Sequence, residues 1–412
     1  MTTHVGLRPV SADEARELLE EAGTVVETEM VGLEGAAGRV LAESLVAHED
    51  MPSFPRSAMD GYAVRAADVA AATAAAPVSL SLVGSVTIGR RPGQPVWPGE
   101  AQAIPTGGHL PDGADAVVMV EQAEERGAAV EIRRPVEAGR NVIRAGEDIP
   151  RGSKVLPSGR LLRPSDVSAL AAFGLARVPV HRRPRVSVLS TGNEISPPAD
   201  PLQPGKVRDV NQYALGAQAA SAGCEVHHDG IIEDDPAALE WAVRAAAAKS
   251  DVVLLSGGSS VGGHDYTSDV FKRLGPPGLL FHGIAVRPGR PTLVSRAGPT
   301  LLVGMPGVPT SAMVIFEVFI RPLLRRMGGE KIGARWSAER HARLATAYTS
   351  EIGREDYLRV RLVEREGEIW AEPLPGGSAA LSNVLAADGL VTVPADVTTL
   401  AEGDAVTVSL FT

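Results

Sequence analysis

The sequence predicts a multidomain α/β chain, in which a doubly wound parallel sheet is joined to β-rich segments on either side. Its 412 residues exceed what one core usually holds, since roughly 150 residues make a domain, so two to four domains are expected. Between about 183 and 328, short apolar runs alternate with helical segments, the pattern of parallel strands joined by helices. Over 78–149 and again over 329–412 the hydrophobic period drops to two, broken by Pro-Gly, Asp-Gly and Gly-Arg turns, the pattern of compact β structure.

Taken in order, residues 12–22 read as a helix with Ser11 as N-cap, Glu14 completing a capping box, and Leu18 and Leu19 on the apolar face. Alanine-rich 66–77 leads into the β region of VSLSLVG, DAVVMVEQ and AAVEIRR. Residues 164–174 read as a short helix capped by Ser165 and stopped by Gly174, and RRPR at 182–185 as a linker. Strands follow at 186–189, 225–232, 252–256 and 300–303, and helices at 211–222, 236–248, 266–274 and 310 to about 325. The last stretch, with YLRVRLVE, GEIWAEP, DGLVTVP and DAVTVSLF, reads as a separate β domain.

Composition removes several function classes. There are 40 Lys and Arg against 50 Asp and Glu, a net charge of −10 with the charges scattered, so no basic stripe offers itself to nucleic acid. Aromatics are 4% of the chain, too few for a base-stacking platform. A single cysteine, Cys224, forms neither an intrachain disulfide nor a thiolate metal site, which fits a reducing, cytoplasmic setting. The start shows no secretory pattern, and the alanine-rich stretch broken by Asp68 and Pro77 is not a membrane span, so no membrane association is expected.

Ligands of doubly wound sheets bind beyond the carboxyl ends of the strands, and those ends are polar here. The strand at 186–189 runs into Ser190, Thr191, Gly192, Asn193 and Glu194; that at 225–232 into Glu233, Asp234 and Asp235; that at 252–256 into SGGSSVGGHD, ending at Asp265. Asp234 and Asp235 before Pro236 also read as an ordinary helix start. The turn holding Gly257, Gly258, Ser259 and Ser260 offers backbone N–H groups to a phosphate, though a plain tight turn accounts for it equally well. GMPGVPTSA, with Pro306, Gly307, Thr310 and Ser311, is a second glycine turn before a helix, its hydroxyls placed to cap the helix or bind an anion. VRPGRP puts Arg287 and Arg290 on one turn. Asp60-Gly61 in SAMDGYAV reads locally as a hairpin turn, and RAGEDI, with Arg144, Glu147 and Asp148, as a charged loop. His227 and His228 lack metal-ligand spacing and read as structural.

The order of these fragments, SAMDGYAV, RAGEDI, LSTGNE, DVN, GIIEDDP, SGGSSVGGHDYT, VRPGRP and GMPGVPTSA, resembles the molybdopterin molybdenumtransferase family, MoeA and the E domain of gephyrin. The resemblance extends to GGSAALSNVLAADGLVTVP and AEGDAVTVSL near the end of the chain. It implies four domains: a small linking domain of 27–50 and 149–182, a β-rich insertion of 51–148, a MogA-like α/β domain of 1–26 and 183–328, and a C-terminal β-barrel of 329–412. It also implies a homodimer in which the strand ends meet the partner subunit's N-terminal region. The implied reaction takes adenylylated molybdopterin and molybdate, hydrolyses the phosphoanhydride, releases AMP and leaves the metal on the pterin dithiolene. Carried over by motif, Asp60, Glu194, Asp234 and Asp265 are the catalytic set. Glu194, Asp234 and Asp265 hold Mg²⁺. Thr106, Asp148, Gly257, Gly258, Ser259, Ser260, Arg287, Arg290, Pro306, Gly307 and Ser311 bind substrate. A carboxylate set suits a hard oxygen-seeking cation, and arginines suit anions. The implied partners include the molybdopterin adenylyltransferase and recipient molybdoenzymes.

The chain departs from the family pattern at several positions. Arginines stand at 287 and 290 where lysines are common, Gly283 where a further lysine is usual, Asn193 after Thr-Gly in place of Asp, and Val308 in place of Asn before Pro309. Arginine holds an anion but does not donate a proton as a tuned lysine does. The competing reading is therefore a member that binds molybdopterin or a protein partner without turnover; a generic nucleotide-binding α/β enzyme, resting on the glycine turn alone, is a third. Two outcomes compete for a lysine introduced at Gly283: stronger molybdate binding, which the regular-strand reading of 284–286 favours, or backbone strain and lower stability if the glycine is required for a positive φ.

Overall fold

The computed structural model describes residues 9–257, 266–331, 338–375 and 380–411. They pack as two compact units, one of residues 44–157 and 165–176, the other of the remainder.

The first unit is built on a six-stranded sheet in the order Ala116–Met119, Gly61–Val64, Glu100–Ile104, Val78–Ser85, Ala129–Ile132, Ala123–Arg126. Tyr62, Val64, Leu80, Ala101, Val118, Val130 and Ile132 form its core. The alanine-rich entry becomes a 3₁₀ turn, Ala66–Val69. Two short ribbons, Arg56–Ser57 with Val142–Ile143 and Leu45–Val46 with Lys154–Leu156, complete the β structure of the unit. Asp60-Gly61 is not the hairpin turn that local sequence suggests. Gly61 begins a central strand paired on both sides, and a Cβ there would stand 1.9 Å from Val118 O, so glycine is required by close approach rather than by a turn. The helix expected from Ser165 begins one residue earlier, Pro164–Ala172, which leaves Ser165 inside its first turn rather than at its cap.

In the second unit a six-stranded sheet runs Glu225–Ile232, Arg185–Thr191, Val252–Ser256, Thr300–Met305, Leu293–Ala297, Pro277–His282. The four strands expected from the sequence are parallel, and two further strands extend the sheet through antiparallel pairings, Leu293–Ala297 running against the rest. The two-residue link 298–299 between Leu293–Ala297 and Thr300–Met305 is long enough only for antiparallel neighbours. Along Val252–Ser256 the side chains alternate between two cores: Val252 and Leu254 meet Leu215, Ala219, Ala312 and Ile315, while Val253 and Leu255 meet Leu239, Val243, Val270 and Phe271. Helices Ala12–Ala22, Asn211–Ser221 and Pro309–Ile315 therefore cover one face and Pro236–Ala247 and Tyr266–Arg273 the other. Such strands are buried on both faces and read as unbroken apolar runs. Ser11 caps the first helix through its hydroxyl, which accepts from Glu14 N at 3.1 Å.

Helix Pro309–Ile315 continues through a π-helical turn, Phe316–Ile320, into Arg321–Met327. Arg321 grips Glu317 there with two bonds of 2.6 and 2.8 Å, and Gln218 Nε2 donates to the same carboxylate at 2.7 Å. RRPR is more than a linker. Arg182 is bidentate to Asp251 at 2.7 and 2.8 Å and also donates to Glu27, tying the strand entering the sheet to residue 27. The C-terminal strands Glu355–Arg365, Glu368–Pro373, Glu339–Leu344, Ala405–Leu410 and Gly389–Val393 close on themselves as a five-stranded barrel, because the last pairs back onto the first. Leu344, Val360, Ala371, Val391 and Val408 fill it.

Candidate active site

The four parallel strands end level. Thr191 pairs with Ile232, Ser190 with Ser256, and Ser256 with Met305, so the turns that follow share one edge of the sheet. Leu293 pairs with Gly304 and with His282, which brings the arginine turn between them to that same edge.

Asp234 and Asp235 divide the two roles between them. Asp235 caps helix Pro236–Ala247, accepting from Ala237 N at 3.0 Å and Ala238 N at 2.8 Å. Asp234 turns to the neighbouring loop: Thr191 Oγ1 donates to its Oδ1 at 2.9 Å and Asn193 N to its Oδ2 at 3.2 Å. Asp234 N in turn donates to Asn193 Oδ1 at 3.3 Å, and Lys206 Nζ donates to the Asn193 carbonyl. Asn193 thus clasps the loop carrying Asp234. Glu194, exposed on that turn, folds its carboxylate over Gly192, whose Cβ would lie 2.7 Å from either oxygen.

Gly257 has φ +104, and a Cβ on it would stand 2.1 Å from Thr191 O. The backbones of Thr191 and Gly257 therefore pass so closely that only glycine fits. Gly307 lies against the other side, a Cβ on it reaching 3.8 Å from Gly257 Cα. Pro306 O accepts a long 3.5 Å bond from Ser256 Oγ. Gly258, Ser259, Ser260 and Asp265 lie outside the described residues. Thr310 and Ser311 do not cap the next helix: Val308 holds the N-cap position without a side-chain bond, and both hydroxyl residues are buried in the first turn.

Arg287 and Arg290 are both exposed. Between them Gly289, at φ +107, leaves no room for a Cβ, which would meet Ile315 at 2.2 Å. Arg287 pairs in parallel register with Asp356, a fully buried carboxylate bonded by Arg354 Nε at 2.7 Å and Tyr348 OH at 2.8 Å. Burial and then the Asp356 bond push the Tyr348 hydroxyl up to about 12, partly offset by Arg287. Gly283 is not in regular strand. It has φ +92, donates to Thr292 O at 2.8 Å and accepts from Val10 N at 3.1 Å. A lysine there would occupy a backbone conformation that suits glycine, so the expectation of a stronger anion site at 283 is withdrawn.

In the other unit the structure joins Asp60 to Thr106, two residues 46 apart. Thr106 N and Oγ1 both donate to Asp60 Oδ1, at 2.7 and 3.0 Å. First the backbone bond and then the hydroxyl bond hold the Asp60 carboxyl below its ordinary value. Asp148, exposed, sits elsewhere on the ribbon: its N–H meets Met51 O at the Met51–Ile149 end, whereas Asp60 follows the Ser57–Val142 end. Arg144 and Glu147 close their loop on each other, Arg144 N donating to the Glu147 carboxylate at 2.9 Å.

The donor set fits a hard cation of the Mg²⁺ kind. Glu194 and Asp234 supply oxygens at one edge, and Mg²⁺ binds through one or two carboxylates while water and phosphate oxygens complete its shell. Among the described residues no cluster of three or more His, Cys, Asp or Glu forms a closed protein cage. His228 stacks on Tyr213 at 5.9 Å and fills the space above Gly216, a packing role. Cys224 is buried, its thiol pushed up by burial to about 12, so it offers no thiolate at neutral pH. A cavity of about 690 Å³ among Leu19, Val25, Val318, Phe319 and Lys331 shares no residue with the strand-end edge. No described helix is long and apolar enough to cross a membrane.

A multi-segment α/β chain with a polar strand-end edge and a closed C-terminal barrel defines the class. Residues 10–174 match the MoeA N-terminal region (domain I and II), 187–326 a probable molybdopterin binding domain, and 341–411 the MoeA C-terminal region (domain IV). The chain belongs to the MoeA family. It is 36% identical over 377 residues to molybdopterin molybdenumtransferase 2 of Mycobacterium tuberculosis, covering 90% of this chain and 92% of that one. Over 410 residues it is 33% identical to the molybdopterin molybdenumtransferase of Haemophilus influenzae, 98% of each. The crystal structure of a molybdopterin biosynthesis MoeA protein from Pyrococcus horikosii superposes with a TM-score of 0.87 at 36% identity, over 98% of this chain and all of that one.

The residues that sequence reasoning left out are Asp209, Asn211 and Gln212. The fragment DVN was visible, but nothing in it announces that three adjacent polar side chains turn inward.

Proposed function

We propose that the chain is a molybdopterin molybdenumtransferase, which takes adenylylated molybdopterin and molybdate, cleaves the phosphoanhydride and releases AMP. The observation that carries the reading is the strand-end edge itself. Carboxylates Glu194 and Asp234, the glycine backbones at 257 and 307, and, toward the other side of the sheet, an arginine turn at 287–290 all lie along that one edge. Glu194 and Asp234, with Asp265, would hold Mg²⁺, and the bound ion would offset phosphate charge that an acidic protein otherwise repels. Arg287 and Arg290 present guanidinium groups for molybdate or phosphate, and they hold charge without donating protons. Ser311, buried in the first turn of helix Pro309–Ile315, is assigned to the substrate by the family motif alone. Relatives named for this activity match along most of the chain.

The reading includes the four-domain division given above, a homodimer in which Asp60, Thr106 and Asp148 serve the partner copy, and a cytoplasmic setting. The molybdopterin adenylyltransferase and recipient molybdoenzymes are its expected partners. The test is to mix purified protein with adenylylated molybdopterin, molybdate and Mg²⁺ and measure AMP. Release dependent on both protein and Mg²⁺ supports the reading. Binding of molybdopterin without AMP supports the non-catalytic alternative, and Asp265→Asn is expected to abolish release with the fold intact.

A further inference from the structure

Residues 209–212, at the start of helix Asn211–Ser221, touch the ends of all four parallel strands. Asp209 Oδ1 accepts from Ser190 Oγ at 2.9 Å, near the end of Arg185–Thr191, and from Gln212 N at 3.1 Å; Gln212 Nε2 reaches its other oxygen at 3.1 Å. Gln212 Oε1 accepts from Gly230 N at 2.8 Å, within Glu225–Ile232. Asn211 Nδ2 donates to Ser256 Oγ, the last residue of its strand, and at 2.9 Å to Gly307 O, two residues beyond Met305. The three side-chain-bearing residues Asp209, Asn211 and Gln212 are 4, 7 and 5% exposed.

We infer that Asn211 is a positioning residue: its amide fixes the spacing between the strand end at Ser256–Gly257 and the turn at Pro306–Gly307. The inference rests on the proposed function, which gives those glycine backbones to the substrate's phosphate. Each of the two amide protons goes to a different turn, so one rigid planar group sets the distance between them. The orientation follows from Gly307 O, which only accepts and so must face the NH₂ end. The opposite atom, Asn211 Oδ1, is buried without a hydrogen-bond partner among the described residues. A leucine of similar shape would remove the unpaired Oδ1 but leave Gly307 O and Ser256 Oγ without this donor, so the two costs oppose each other and the half-satisfied amide adds little net stability. What the amide alone supplies is the bridge. A Cβ added to Gly307 would lie 3.8 Å from Gly257 Cα, so the two backbones run close to each other beside the bridge, and loosening it should shift both.

The test compares wild type with Asn211→Leu, Asn211→Asp, Ser256→Ala and the double variant Asn211→Leu/Ser256→Ala. Three quantities are read: AMP release with its kcat and KM for adenylylated molybdopterin, the melting temperature, and hydrogen exchange of the segment 304–308. Asn211→Leu should lower kcat by roughly 30- to 100-fold, the scale expected when reacting groups are misplaced by about 1 Å, with KM changing much less. Its melting temperature should stay within about 2 °C of wild type, while exchange of 304–308 quickens at least tenfold, about 1.4 kcal/mol of lost protection. Asn211→Asp should lose as much, since it sets an acceptor against Gly307 O. The double variant should be no worse than Asn211→Leu alone, because both cut one bridge. A kcat within about threefold of wild type, under 1 kcal/mol of barrier, overturns the inference, as does a loss that tracks melting temperature and adds between sites. If wild type itself releases no AMP, the proposed function falls, and the exchange measurement decides the bridge alone: unchanged exchange of 304–308 in Asn211→Leu overturns it.

Discussion

Asp234 and Asp60 are each held by a threonine, and they are held differently. Asp60 takes both of its bonds on Oδ1, from the backbone and hydroxyl of Thr106 alone. Asp234 takes one bond on each oxygen, from Thr191 and from Asn193, and Asn193 bonds back to the Asp234 backbone. The first arrangement lowers the pKa of one exposed carboxylate and leaves its other oxygen without a bond among the described residues. The second braces two strand-end loops, so that the side chain is at once a candidate ligand and part of the frame. Changes at Asp234 should therefore damage geometry and charge together, whereas changes at Thr106 should touch charge and orientation at Asp60 only.

The largest effect is expected from Asp234→Ala, which removes the oxygen pair proposed to hold the metal and the acceptor for Thr191 and Asn193. AMP release should fall by at least about 100-fold, roughly 2.7 kcal/mol of barrier, with loss of Mg²⁺ affinity measured by titration. A variant that kept release within tenfold would move the catalytic edge away from this strand. Thr106→Val comes next, with an expected loss of roughly tenfold, about 1.4 kcal/mol. It removes the hydroxyl bond and keeps the backbone bond, so the Asp60 carboxyl should titrate higher than in wild type yet still below its ordinary value. Carbon-13 NMR of the carboxylate reads this directly. The sign for stability follows from the lowered folded value: Asp60 contributes above its unfolded pKa of about 3.9 and loses that contribution as pH falls through the folded value. The stability difference between Thr106→Val and wild type should thus be present at neutral pH and vanish in acid.

The two regions were not equally legible in the sequence. Strand and helix positions in the α/β unit follow from apolar runs and caps, and Asp235 before Pro236 reads correctly as a helix start because that signal is local. Asp60 with Thr106 could be linked only through a family resemblance, since 46 residues and a sheet register separate them. The hairpin reading at Asp60-Gly61 failed for a related reason: Asp-Gly favours turns, but here glycine answers to Val118 O on a neighbouring strand. The antiparallel pair 277–282 and 293–297 was missed because no helix separates its strands, and the inward turn of 209–212 was hidden because burial of polar side chains is decided by what packs over them.

Gly283→Lys sharpens the same contrast between local pattern and tertiary demand. Family spacing invites a lysine, but at φ +92 the backbone suits glycine. The expected outcome is a loss of about 1 kcal/mol in stability, read as a lower melting temperature, with an unchanged molybdate titration of AMP release. A molybdate requirement lowered at least fivefold would show that charge at 283 reaches the anion in spite of the strain.

The smallest effect belongs to Val308→Asn, at the other departure on this edge. Val308 sits at the N-cap of helix Pro309–Ile315 with φ −74 and ψ 120, a cap conformation, but its side chain makes no capping bond. It is 38% exposed, so replacing it gives up little apolar burial. Asparagine is among the preferred N-cap residues because its side-chain oxygen accepts from first-turn N–H groups, and a cap is worth roughly 0.5–1 kcal/mol here, since Ser311 N already bonds Val308 O at 3.0 Å. For a cooperative unit of 150–250 residues that corresponds to a rise of about 1–4 °C in melting temperature. Calorimetry reads the rise, and AMP release read beside it separates two meanings of the substitution. A higher melting temperature with unchanged release makes position 308 a cap alone. Release raised more than about threefold at unchanged melting temperature, a barrier lowered by more than about 0.65 kcal/mol, would instead mean that an amide at 308 reaches the substrate, and the strand-end edge would then extend one residue beyond Gly307.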